Sequence, residues 1–286
     1  CYADSMIKTY ATVAAGFTVY SDAISMNFPA GEQHIKVSEA STQTPSHVLV
    51  TGTDANDYVA AAMWIDYAHQ LGHKVAALIP YLPGARQDRG NPFGAQVYAN
   101  LINSMKADRV VCFDPHSPVM PELINNLVVV DSDSVISAAL RVSTRAYVGV
   151  IAPDAGAVAR AQRAATALGV PLYRSVKKRD FATGKLSGFD CETLPAEGRL
   201  LVVDDICDGG GTFMGLATAT GLPADRLDLW VSHGVFSGRA ANLTEAYGRI
   251  FTTDSHPGHE NPAVAATIVP LMAHLVQAAN ATACHS

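Results

Sequence analysis

The strongest constraint on this chain is the stretch Arg199-Leu200-Leu201-Val202-Val203-Asp204-Asp205-Ile206-Cys207-Asp208-Gly209-Gly210-Gly211-Thr212-Phe213. Leu200 to Val203 is an unbroken apolar run, the pattern of a strand buried on both faces. Two carboxylates follow, then a glycine-rich turn, then a helix-compatible run from Phe213 to Thr220. A buried strand that turns through glycines into a helix belongs to α/β architecture, where ligands collect beyond the carboxyl ends of the strands. Glycines let backbone N–H groups approach phosphate oxygens, and the start of a helix adds free N–H groups and a positive dipole end. Thr212 adds a hydroxyl donor. Asp204 and Asp205 are anionic and cannot hold a phosphate; they suit sugar hydroxyls or a cation. The expected ligand carries a phosphate and a vicinal diol. No G-x-x-x-x-G-K-[ST] occurs, and no G-x-G-x-x-G precedes the loop, so neither a Walker loop nor a dinucleotide fold is expected.

With 286 residues the chain is long enough for two domains of ordinary size. A net charge of -6 argues against a nucleic-acid binder, which would normally carry a basic surplus. The five cysteines, at positions 1, 112, 191, 207 and 284, are odd in number and contain no C-x-x-C, so reduced thiols are expected rather than a disulfide or zinc framework. Cys207 reads as a small filler in the loop. No apolar segment reaches the roughly 20 residues of a membrane span and no signal pattern opens the chain, so a cytoplasmic protein with no membrane partner is expected.

Further clusters recur at predicted strand ends. Ser46 to Tyr81 reads strand, loop, helix, strand, and Arg199 to Val231 repeats that order, which points to a duplicated α/β architecture. Phe28 and Glu32 flank the turn Pro29 to Gly31 ahead of an alternating strand, Gln33 to Val37; from the residues alone this is a hairpin with a core Phe. Arg86, Gln87 and Asp88 stand in a segment that Pro83 and Gly84 make non-helical. They are placed to grip a polyphosphate or, more plainly, to form a solvated charged loop. The strand Val110 to Phe113 delivers Asp114 and His116, and a His two residues after an Asp can be oriented by it and hold a cation. Asp154 closes another buried strand, as a cation or ribose ligand or a simple turn residue. Lys177, Lys178 and Arg179 begin a basic, glycine-containing stretch that reads as a mobile loop between two strands, or as a solvated face. Pro262 to Ala279 reads as a terminal amphipathic helix.

Val202 to Thr212 resembles the phosphoribosyl pyrophosphate loop of type I phosphoribosyltransferases and of ribose-phosphate pyrophosphokinases. Ala85-Arg86-Gln87-Asp88-Arg89 separates the two groups. It is similar to the Ala-Arg-Gln-Asp-Arg/Lys element of the pyrophosphokinases, which ordinary phosphoribosyltransferases lack. Phe28-Pro29-Ala30-Gly31-Glu32 resembles that family's Phe-x-x-Gly-Glu element, Asp114-Pro115-His116 its Asp-Leu-His, and Pro153-Asp154-Ala155-Gly156-Ala157 its Pro-Asp-Ala-Gly-Gly. Lys177-Lys178-Arg179 resembles its Lys-x-Arg loop, and Ser232 to Ala240 its Thr-His-Gly-x-Phe-Ser-Gly-Pro-Ala. Departures fall at Ala30, Pro115 and Ala157, and the segments after Asp88 and His116 diverge.

The resemblance implies two similar phosphoribosyltransferase-like α/β domains, each a mainly parallel sheet flanked by helices: 1–145 with the ATP-binding elements and 146–286 with the ribose-phosphate loop. It implies transfer of the diphosphoryl group of ATP, with Mg2+, to the anomeric hydroxyl of ribose 5-phosphate, leaving AMP, at a site between the domains' strand ends. In that scheme Phe28 and Glu32 hold adenine, Arg86, Gln87 and Asp88 the ATP phosphates, and His116 and Asp154 assist the metal, His116 also serving catalysis. Asp204 and Asp205 hold ribose hydroxyls and Asp208, Gly209, Gly210, Gly211 and Thr212 the 5-phosphate, while Lys177 and Arg179 stabilise the transition state. A homo-oligomer is also implied. Two alternatives stand beside this reading: the same chemistry on a larger 5-substituted ribose such as ADP-ribose, and a catalytically silent regulatory homologue.

Overall fold

The computed structural model describes residues 7–13, 16–20, 23–37, 46–142, 146–179 and 186–281. These form two compact units, 1–130 with 272–286, and 131–271.

The first unit carries a six-stranded sheet in the order β2-β1-β5-β6-β7-β8. The strands are β1 (Ile7–Val13), β2 (Gly16–Tyr20), β5 (His47–Val50), β6 (Ala76–Leu78), β7 (Arg109–Phe113) and β8 (Leu127–Val130). β5 to β8 run parallel, and β1 and β2 extend the edge antiparallel. A separate hairpin joins β3 (Ala23–Asn27) to β4 (Gln33–Val37). Burial explains the parallel core. His47 to Val50 and Ala76 to Leu78 are buried throughout, as strands covered on both faces must be.

Helix α1 (Ala55–Gln70) starts from Asp54, whose carboxylate takes the Asn56 N–H, while Asp57 takes the Asp54 N–H in return. Asp54 and Asp57 are therefore a reciprocal cap. Tyr58, Ala61, Trp64, Ile65 and Ala68 make its buried stripe over the sheet. Helices α2 (Gly94–Ser104) and α3 (Val119–Leu123) complete the connections.

The second unit opens with α4 (Ser132–Val142) and holds seven strands in the order β11-β10-β9-β12-β13-β14-β15. These are β9 (Tyr147–Ala152), β10 (Leu172–Arg179), β11 (Leu186–Cys191), β12 (Arg199–Cys207), β13 (Leu227–Gly234), β14 (Arg249–Thr253) and β15 (Thr267–Val269). All pairings are parallel except β10 with β11. Helix α5 (Val158–Leu168) packs on β9 and β12, α6 (Gly211–Thr220) leaves the end of β12, and α7 (Leu243–Ala246) lies beside α6.

Two boundaries differ from the sequence expectation. Pro262 to Ala279 is not one helix: Thr267–Val269 pairs with β14, and only α8 (Met272–Asn280) is helical. That helix packs on β6, β7 and β8, where Arg109 donates to the carbonyls of Ala279 and Ala281, each at 2.6 Å. The chain thus returns to its first unit, a connection that a single cut at 145/146 does not contain. Among the described residues no helix is long and apolar enough to cross a membrane.

Candidate functional site

In the second unit the acidic pair lies inside the strand rather than after it. β12 continues to Cys207 because Ile206 pairs with His233 and Cys207 with Gly234. Asp204 Oδ1 accepts the Asp205 N–H at 2.9 Å and Asp205 Oδ1 accepts the Ile206 N–H at 2.8 Å. Asp205 is buried, and Asp204 keeps only a small exposed edge. A guanidinium faces both: Arg160 Nη2 lies 3.7 Å from Asp205 Oδ2 and Arg160 Nη1 lies 4.0 Å from Asp204 Oδ1. Burial holds the Asp204 carboxyl well above the usual range, and the charges of Asp205 and Asp154 push it the same way. Asp154, at the end of β9, accepts the Ala157 N–H at 3.1 Å.

Beyond Cys207 the chain turns through Asp208 to Gly210 into α6. The three glycines differ in what they allow. Gly210 has φ +77°, and a Cβ there would lie 3.2 Å from Leu243, so both backbone and packing call for glycine. Gly209 and Gly211 are under no such pressure: a Cβ at Gly209 would meet only the Ser237 carbonyl at 4.0 Å, and one at Gly211 nothing within 4 Å. The fold leaves open space at these two positions. The opposite wall is tied to the loop by two bonds, Ser237 N–H to the Asp208 carbonyl at 3.2 Å and Ser237 Oγ to the Asp208 carboxylate.

Cys207 is buried, and its thiol is pushed up to about 12 by burial, then by Asp208 and Asp204. It stays a thiol at neutral pH, as befits a filler. Cys112, Cys191 and Cys207 are not joined in disulfides. Nearby, His256 Nδ1 accepts the Gly258 N–H at 3.0 Å. Burial and the neighbouring His233 and His259 bring its pKa down to about 4 against the pull of Asp208.

Lys177 and Arg179 stand on β10, not in a loop, opposite Phe189 and Leu186 of β11. The ladder continues that far because Lys177 and Lys178 pair with Phe189 and Gly188, with a register shift before Arg179. Residues 180–185, the remainder of the expected loop, lie outside the described residues.

In the first unit Pro83 to Arg86 form the turn after β6. Arg86 and Gln87 are exposed, and Asp88 is half-buried. The Gln87 side chain lies across the first residue of α2, where a Cβ on Gly94 would overlap its Oε1, and the Gln87 carbonyl accepts the Ala95 N–H at 3.1 Å. Burial alone would raise the Asp88 carboxyl, but the Ser117 hydroxyl, Arg89 and His116 together hold it below the usual range. Asp88 and His116 are thus neighbours, one strand end apart. Asp114 is buried with φ +39°, a left-handed backbone at the point where β7 ends and His116 is turned outward to solvent. Phe28 does not enter the core. It sits 46% exposed at the tip of the β3–β4 hairpin, where its N–H donates to the Glu32 carbonyl at 2.8 Å and its ring lies 5.1 Å from that of His34. Glu32 is exposed beside it.

The structure therefore gathers Asp154, Asp204, Asp205 and Asp208 to Thr212 at strand ends of the second unit, and Arg86, Gln87, Asp88 and His116 at strand ends of the first. Among the described residues no group of three or more His, Cys, Asp or Glu side chains is arranged to hold a metal ion. Sequence reasoning missed Arg160, Ser237 and His256. Ser237 stood within a motif already singled out, whereas Arg160 sits in an alanine-rich helical run, where a cation reads as solvated.

No protein-family model matches the chain. A curated ribose-phosphate pyrophosphokinase of Methanopyrus kandleri is 30% identical over 269 residues, covering 87% of this chain and 88% of that protein. The pyrophosphokinase of Bradyrhizobium diazoefficiens is 30% identical over 212 residues, and that of Hyphomonas neptunium 31% over 183. These two matches span 63% and 57% of the relatives' own lengths, less than two thirds. The crystal structure of a phosphoribosylpyrophosphate synthetase from Mycobacterium smegmatis superposes with a TM-score of 0.74 over 89% of this chain and 88% of that one, at 22% identity, which establishes the shared fold. By its near-full-length likeness to the Methanopyrus protein, the chain belongs to the ribose-phosphate pyrophosphokinase family.

Proposed function

We propose that this protein transfers the diphosphoryl group of ATP to the anomeric hydroxyl of ribose 5-phosphate, giving phosphoribosyl pyrophosphate and AMP. The observation that supports it most is the end of β12: an acidic pair for a diol, followed at once by a glycine turn that opens the start of α6 to a phosphate. Asp204 and Asp205 accept hydrogen bonds from the 2- and 3-hydroxyls, and Asp208 to Thr212 hold the 5-phosphate. Arg86 and Gln87 bind the ATP phosphates, and Phe28 and Glu32 the adenine. The exposed ring at the hairpin tip supports that role, since a flat apolar surface kept in water suits a stacking ligand.

The chemistry needs positioning and charge rather than a strong base. Lys177, Arg179 and His116 offset charge on the transferring group. Mg2+ bound to ATP neutralises phosphate charge when present. Its donors fit that ion: it prefers oxygen ligands, keeps several waters and needs only one or two protein carboxylates beside the substrate's phosphates. Asp154 is the carboxylate assigned to it, with His116 beside the phosphates. The open space at Gly209 and Gly211 favours a second reading in which the acceptor is a larger 5-substituted ribose.

The test is AMP release from ATP and Mg2+ with ribose 5-phosphate or ADP-ribose at equal concentration. Fastest release with ribose 5-phosphate, reduced at least about 100-fold in Lys177→Ala, supports the first reading. Faster turnover of ADP-ribose replaces the acceptor. No AMP with either sugar points to the silent homologue.

A further inference from the structure

The side chain of Arg160 is buried, at 8% exposure. It lies on α5 among Ala161, Ala164 and Ala165, so a guanidinium occupies a stripe otherwise built of alanine methyls. A cation is removed from water at substantial cost unless opposite charge meets it. Here both members of the acidic pair do, at 3.7 and 4.0 Å. Neither separation is a hydrogen bond, so the guanidinium acts on the pair through its charge rather than as a two-toothed clamp. The backbone contributes as well: the Asp205 N–H fixes one oxygen of Asp204, and the Ile206 N–H one oxygen of Asp205. What those two N–H groups cannot do is offset the repulsion between adjacent carboxylates at a partly dry strand end, with Asp154 as a third acid nearby.

We propose that Arg160 is the positioning residue of the sugar subsite: its buried charge, facing Asp204 and Asp205 together, keeps the two carboxylates side by side at the spacing a vicinal diol requires. The proposal rests on the diol reading of that pair. Arg160 itself touches no substrate. Its effect falls on the sugar and not on the nucleotide, because the acids it serves accept from the ribose hydroxyls.

The test compares Arg160→Gln and Arg160→Lys in the full chain. With ribose 5-phosphate and ATP, Arg160→Gln is expected to raise KM for the sugar by about 10-fold or more while KM for ATP changes by less than about twofold, and Arg160→Lys to recover most of the loss. A general structural role would move both KM values or lower kcat alone, and either result overturns the proposal, as does an unchanged KM for the sugar. Urea unfolding of Arg160→Gln, Asp204→Asn and the double variant gives a readout that needs no activity. The double variant is expected to unfold at a higher urea midpoint than Arg160→Gln, because one unmatched carboxylate has gone. Strictly additive losses would sink the coupling. If the wild-type protein forms no sugar-dependent AMP, the proposed function fails by itself, and the urea cycle still decides whether Arg160 is coupled to the pair.

Discussion

At the scale of single residues, the second unit's candidate site is built from groups whose charge is set by burial. Cys207 remains a thiol, Asp204 is reluctant to ionise, and His256 is kept neutral. The last has a consequence for stability. The folded pKa of His256 lies near 4 and the ordinary value is 6.5, so between these pH values the unfolded chain binds a proton that the folded chain refuses. Stability from this residue is complete above about 6.5 and is lost as pH falls toward 4. His233 and His259 beside it strengthen the effect, and Asp208 weakens it. After allowance for solvent screening the loss is about 1 kcal/mol. Urea midpoints measured at pH 7.0 and 5.0 are expected to fall with acidity in the wild type and to fall less in His256→Asn; equal slopes in the two proteins would contradict the assignment. None of this was legible in the sequence, since His233 and Asp208, which act on His256, stand more than 20 residues away from it in the chain.

At the scale of elements, the turn between β12 and α6 separates glycines the fold requires from glycines it tolerates. Gly210→Ala puts a side chain at positive φ against Leu243 and is expected to cost about 1–3 kcal/mol. Gly211→Ala adds a methyl in open space at the first position of α6 and is expected to leave stability unchanged or raise it by up to about 1 kcal/mol. If the N–H groups of that turn carry the sugar phosphate, Gly211→Ala nevertheless weakens ribose 5-phosphate binding, by about 10-fold in calorimetry. Undiminished binding would mean that the phosphate lies elsewhere. The strand, the turn and the helix were all readable from the apolar run and the glycines. The continuation of β12 through Cys207 was not, because Asp204 and Asp205 look like a strand terminus until β13 supplies partners on the far side. Lys177 and Arg179 illustrate the same point on β10: consecutive cations suggest a loop, and only pairing with β11 makes them a strand.

At the scale of the whole chain, duplication was visible as two strand–helix–strand units, and the parallel sheets follow from fully apolar strand runs such as Val48 to Val50 and Leu200 to Val203. The edges were less legible. β15 and α8 share a stretch that reads as one helix, and nothing in Met272 to Asn280 says that its carbonyls will meet Arg109, more than 160 residues earlier in the chain. Contacts of long sequence separation leave no local pattern to read. The glycine turn after β12 and the Arg86–Gln87 turn, by contrast, were legible because each needs particular residue types within a few positions. The central claim is that two phosphoryl groups move together from ATP to the anomeric oxygen. Phosphorus NMR of the protein mixed with ATP, Mg2+ and ribose 5-phosphate tests it most directly. The expected products are AMP and a sugar with a pair of coupled diphosphate resonances beside its 5-phosphate signal; ADP with a second, uncoupled sugar-phosphate resonance would contradict it.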